Sequence, residues 1–140
     1  MLTKFTDRWI AQKEEIIQMW RAKLPDSYDD IMKTVLMRIS DEDNYNAPDP
    51  RRLTIIDHGD YQGTKLFVIG ATGYQPSSYY LVFVYYGSCS ECDTFEATVS
   101  GWGSDDPLVL ASKAEAAWTL GLHMLQNMKH YNQDGEVKSA

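Results

Sequence analysis

LTIIDHGDYQGTKLFVIGATGYQPSSYYLVFVYYG, residues 53–87, decides how the rest of the chain is read. It contains three runs rich in β-branched and aromatic residues: LTIID (53–57), TKLFVIG (64–70) and YYLVFVYYG (79–87). Such residues fit a pleated, half-buried surface, and each run is bounded by turn chemistry. Gly59 and Gly63 supply the first reversal, Gly73 and Pro76 the second. Neither connection has room for a crossover helix, so neighbouring runs pair antiparallel as a meander. Residues 94–100 fit either a short helix or a fourth strand, ended by Gly101-Trp102-Gly103.

On the amino-terminal side, residues 6–24 place Trp9, Ile10, Ile16, Ile17, Trp20 and Leu24 at helical spacing, with Thr6 or Asp7 as cap. Pro25 ends that helix. A second is predicted from Asp26 or Ser27, with Asp29 and Asp30 at its positive end and Ile31, Val35, Leu36 and Ile39 on one face. Residues 40–52, SDEDNYNAPDPRR, read as an acidic loop, because two prolines suit neither a helix nor a central strand. On the carboxyl side a long helix is predicted from Asp105 or Asp106, with Pro107 in its first turn, to about Tyr131. Ala114, Ala117, Trp118, Gly121, Leu122, Leu125 and Met128 form its apolar side, and Gly121 permits a close approach. The expectation is a single α+β domain spanning residues 1–140. An antiparallel meander of three or four strands is packed by two amino-terminal helices and one long carboxy-terminal helix.

Composition narrows the classes of function. A chain of 140 residues with 44% hydrophobic and 24% charged content is one globular domain. A mean hydropathy of -0.41 and the lack of a long apolar run argue against a membrane span. MLTKFTDRWIAQKEE reaches charge before an apolar signal region could form, so a cytoplasmic location is expected. Twenty acidic residues against 13 basic ones give a net charge of -7. The longest basic cluster is Arg51-Arg52, which argues against direct nucleic-acid binding. A solvated acidic face accounts for Asp26/Asp29/Asp30, Asp41/Glu42/Asp43 and Asp105/Asp106 more simply than imitation of DNA does.

Two clusters could carry chemistry. The first is Tyr86-Gly87-Ser88-Cys89-Ser90-Glu91-Cys92-Asp93, which holds both cysteines. Cys89 and Cys92 have the spacing for thiol–disulfide exchange, or for two zinc ligands completed by His58 or His123. Flanking carboxylates oppose a thiolate, and no histidine pair has zinc-finger spacing. Small thiols packed beneath a tight turn are the simpler reading, so no cofactor is expected and zinc is the alternative. The second cluster is Asp57, His58, Asp60 and Tyr61, where carboxylates could bind a cation or share a proton, and where Asx turns explain the aspartates equally well. Metalloprotease, phosphate-loop and nucleophile-elbow motifs are missing, which favours a non-enzymatic protein. Tyrosines crowd the last strand and the turn before it. Tyr74 and Tyr79, with the acidic loop Asp41, Glu42 and Asp43, are the candidate contacts for a protein partner.

DHGDYQGTKLFVIG (57–70), YGSCSECDTFEA (86–97) and WTLGLHMLQNMKHY (118–131) together resemble a family of small, functionally uncharacterised proteins of tailed bacteriophages. The family pattern is Y-G-S-C-S-x-C-D-T, and this sequence keeps Tyr86, Gly87, Ser88, Cys89, Ser90, Cys92, Asp93 and Thr94. The amino-terminal helices lie outside the resemblance. It implies a viral origin and expression in the host bacterial cytoplasm, and brings no activity with it. The function expected is that of an accessory protein that binds and modulates a host macromolecule, as counter-defence or host takeover. The alternative is a metal-binding or thiol-redox protein built on Cys89 and Cys92.

Overall fold

α1 (Leu2–Ala11) and α2 (Lys13–Ala22) stand where the periodicity predicts one helix. The computed structural model describes residues 2–41, 47–59, 63–72, 78–86, 99, 106–131 and 137–139. The break between the two helices falls at Gln12, whose φ of -102 and ψ of 11 leave the helical basin. Its carboxamide accounts for the break. Nε2 donates to the carbonyls of Arg8 at 3.0 Å and Arg38 at 2.8 Å, and Oε1 accepts from Arg38 at 3.3 Å. Arg38 lies in the last turn of α3 (Tyr28–Ile39), so the break fastens both short helices to the end of the third. Arg8 adds a guanidinium that donates to the Ile39 carbonyl at 3.0 Å, one of the carbonyls a helix end leaves without an internal partner.

β1 (Pro48–Gly59), β2 (Gly63–Ala71) and β3 (Tyr79–Tyr86) are the three predicted runs, joined in an antiparallel meander. After α4 (Pro107–Gln126) come two short strands, β4 (Lys129–Tyr131) and β5 (Val137–Ser139). The sheet runs β1-β2-β3-β4-β5, antiparallel throughout. Two boundaries differ from expectation. The acidic loop ends at Ala47, because β1 lies at the sheet edge, where prolines cost no ladder bond; the register shifts between Pro48 and Leu53 to accommodate them. The long helix ends at Gln126, not Tyr131: Asn127 caps it, Met128 turns into the core, and residues 129–131 pair with the start of β3. His130 is therefore a strand residue, stacked on Tyr80 at 4.6 Å. Of residues 94–100 only Val99 is described, and it is buried.

Among the described residues, the four helices α1–α4 lie on one face of the sheet. Leu53 and Ile55 of β1, Phe67 and Ile69 of β2, and Tyr80, Val82 and Val84 of β3 point inward to them. Phe5 of α1 meets Tyr80 edge-on at 6.1 Å, and α4 packs against α1, α2, α3 and β3. The tightest contact is at Gly121. Trp9, fully buried, lays its ring so close to this glycine that an added Cβ would come within 2.6 Å of a ring carbon and 3.2 Å of Val35. Its indole N–H donates to the Trp118 carbonyl at 3.1 Å, and the two tryptophan rings stack at 6.3 Å.

Gly121→Ala sets two effects against each other. Alanine is favoured over glycine within a helix by about 1 kcal/mol, whereas forcing a methyl into a filled core costs about 1–3 kcal/mol or more. With a ring carbon at 2.6 Å, the overlap decides. Urea unfolding should show Gly121→Ala less stable than wild type by about 1–3 kcal/mol; a more stable variant would show that Trp9 is free to withdraw.

Candidate protein-interaction surface

Strand alternation sends every second residue of the sheet away from the helices. The register collects these outward residues into cross-strand rows: Thr54–Val68–Leu81–Lys129, then Ile56–Leu66–Phe83, then Thr64–Tyr85 at the far end. Tyr79 and Tyr131 face each other at the near end. Next to them, the Arg52 side chain lies over Gly70, with carbons 3.2 Å from where a Cβ would be. No helix among the described residues covers these rows. Phe83 is 61% exposed and Tyr85 62%, against complete burial of Tyr80 and Val82 on the same strand. Ile56 and Tyr79 are each 46% exposed. Contiguous exposed apolar and aromatic surface of this kind marks a place where something binds.

No family model, curated protein or solved structure matches this chain. The surface is therefore read from its own chemistry. Among the described residues, no carboxylate stands on the outward rows, although the chain carries 20 acidic residues. Charge at this face is confined to Lys129 and Arg52, both at the end where Tyr79 sits.

The candidate residues read from the sequence fall into three groups. Tyr79 lies on the open face. Asp41 is half-buried and engaged by Arg8 at 3.2 Å, so it helps to close α1 against the end of α3. Tyr74, Glu42, Asp43, Asp60, Tyr61, Ser88, Cys89, Cys92 and Asp93 lie outside the described residues. In backbone terms the register places Tyr86 opposite Gly63 and Gly63 opposite Gly59, so the end of β3 adjoins the first hairpin, as a meander requires. Asp57 and His58 are at that same end of the sheet, in β1. His123 is exposed near the carboxyl end of α4, which runs into β4 beside the start of β3.

Phe83, Ile56 and Tyr131 were not singled out as binding residues by sequence, and Tyr85 stood only among the tyrosines near the hairpin of which an exposed subset would suit a binding surface. The signal available was alternation in YYLVFVYY, which separates the two faces of the strand without saying which is covered, since both are apolar.

Beside this face, Asp49 forms the main ionic cluster of β1. It is only 3% exposed. Its carboxylate accepts from the Arg51 backbone N–H at 2.9 Å and from the Arg51 guanidinium at 3.2 and 3.4 Å, and it pairs with Arg52 at 3.5 Å. Arg52 in turn donates to the Ala71 carbonyl at 2.6 Å, crossing to β2. Burial works against the charge on Asp49. The bonds from Arg51 and the nearby charges of Arg51 and Arg52 outweigh it, holding the carboxyl below its ordinary value of 3.8. On the inward face burial alone pushes the Tyr80 hydroxyl up to about 12.

Asp49→Asn should therefore cost about 1–3 kcal/mol near neutral pH, since it replaces a buried charged acceptor with a weaker, neutral one. Because the folded carboxyl titrates below the unfolded one, its contribution is fully present above the ordinary carboxylate value near 3.8. It is lost as pH falls through the lower folded value. Denaturation of both proteins between neutral and strongly acid pH should give a gap that is constant near neutrality and closes in acid; a gap that widened in acid would contradict the assignment.

Proposed function

We propose that this chain is a non-enzymatic accessory protein of a bacteriophage, acting in the host cytoplasm by binding a host protein through the outward face of its sheet. The observation that carries the reading is that face: exposed Phe83, Tyr85, Ile56 and Tyr79 on a rigid meander, free of carboxylates among the described residues. Aromatic anchors on rigid elements are what a protein interface needs at its centre. The viral origin and the modulation of a host component, as counter-defence or takeover, rest on the resemblance carried by residues 57–70, 86–97 and 118–131. A cytoplasmic site of action follows from the same resemblance. It accords with the finding that no helix of the described residues is long and apolar enough to cross a membrane.

The test is a tagged pull-down from host lysate with three proteins in parallel: wild type, the double variant Tyr79→Ser/Phe83→Ser, and Leu108→Ser. Leu108 is exposed at the start of α4, away from the sheet face. A stable partner should be retained by wild type and by Leu108→Ser, and reduced about tenfold or more by the double variant, as befits removal of interface anchors. Equal retention by all three, or turnover of a metabolite by the purified protein with no partner recovered, would overturn the reading.

A further inference from the structure

We infer that in the free protein the outward sheet face is occupied by a second copy of the same chain, packed face to face about a two-fold axis that lies midway between the two sheets, parallel to them, and runs across the strands. The inference rests on reading this face as an interaction surface, and it adds what covers the face before any other partner arrives.

Three observations lead to it. The first is composition. A two-fold interface requires a patch that is complementary to itself, and the middle of this one, Val68, Leu81, Ile56, Leu66 and Phe83, is apolar across three strands. Two sheets with such faces stack with their strands roughly aligned and form a core between them. The second is charge. At -7, two copies repel wherever their acidic surfaces approach. The sheet face lacks carboxylates among the described residues, so it is where the copies meet at least cost.

The third observation fixes the orientation. Lys129 and Arg52 stand toward one end of the face, and Phe83 and Tyr85 toward the other. An axis running across the strands turns one copy end for end. Lys129 of β4 then lies one strand to the side of Phe83 and Tyr85 of the partner subunit, roughly 5 Å across the sheet and within reach of a lysine side chain, and the contact is made twice. A cation over an aromatic ring is attracted to it. An axis running along the strands would instead bring Lys129 on β4 over Arg52 on β1 of the partner subunit, setting like charges together.

Size sets the strength. The eight residues of β3 and the width of β1–β3 project to roughly 400 Å². That is within the ~300–600 Å² of the largest apolar patches on monomers and short of the ~800 Å² per partner of a standard stable interface. The expected assembly is a reversible dimer, one that another protein could displace.

Sedimentation of the full-length protein over a wide concentration range tests this directly. Wild type should pass from monomer to dimer as concentration rises. Phe83→Asp should raise the dissociation constant about tenfold or more, and Leu108→Asp should leave it unchanged, each variant being checked for wild-type helical circular dichroism. Orientation is read from a pair at one position: Tyr85→Lys should weaken the dimer more than Tyr85→Glu, because the partner's Lys129 faces that position. If Phe83→Asp does not fold, the two Tyr85 variants carry the test alone.

A wild type that stays monomeric at every concentration, or a Phe83→Asp protein that dimerises like wild type, would overturn the inference. So would equal effects of Lys and Glu at position 85, as regards the axis. A monomeric wild type that still loses its host partner on Tyr79→Ser/Phe83→Ser would sink the dimer and leave the proposed function standing. A dimer broken by Phe83→Asp, with no host partner recovered by any variant, would do the reverse.

Discussion

The contact between Trp9 and Gly121 is the constraint around which the helical layer is arranged. A buried indole needs an acceptor for its N–H, because an unmade hydrogen bond in a dry interior costs about 1–3 kcal/mol. Trp9 finds one in the backbone of α4, at the Trp118 carbonyl, and can reach it only because position 121 has no side chain. This brings α1 close against α4, with Val35 of α3 on the same spot. The chain turns between α1 and α2 at Gln12, whose side chain holds Arg8 and Arg38 together. The helices so gathered pack on one side of the sheet, and no helix among the described residues covers the other.

Much of this could be read from the sequence, and the exceptions have identifiable causes. The three long strands were legible because runs of β-branched and aromatic residues alternate with glycine-bearing turns, and the role of Gly121 because a glycine within an apolar helical arc implies a close neighbour. The break at Gln12 was hidden: the apolar spacing of Trp9, Ile16 and Trp20 continues through it, and its cause is a hydrogen bond to a residue 26 positions away. The prolines at 48 and 50 misled for a positional reason, since proline is excluded from central strands and tolerated at an edge. The final turn of the predicted helix belongs to β4 because Lys129, His130 and Tyr131 meet the exposed flank of β3, a pairing no local pattern announces.

The site was legible to a lesser degree, for a related reason. YYLVFVYY is apolar on both faces, so alternation identifies two sets of residues and leaves open which one the helices cover. The choice falls to the connections: the described helices all return to the same side of the sheet. Tyr79 was named from its place near the turn, and it belongs to a larger set including Phe83, Tyr85 and Ile56 that only the register brings together. Asp41, read as a surface acid, is taken up by Arg8 in closing the helical layer. Among the described residues, the acidic character of the chain and the apolar character of the face are thus separated in space.

The two ends of the sheet determine how far such adhesion can spread. An unprotected strand edge invites another strand, then another, and leads to fibres. Here the first part of β1 carries Pro48 and Pro50, which cannot donate to an incoming strand, and α3 packs against β1. At the opposite border β5 is three residues long. Lateral growth is blunted on both sides, so stickiness is directed out of the plane of the sheet, where contact ends once a single layer has been added. A protein can in this way expose an apolar surface without seeding aggregates.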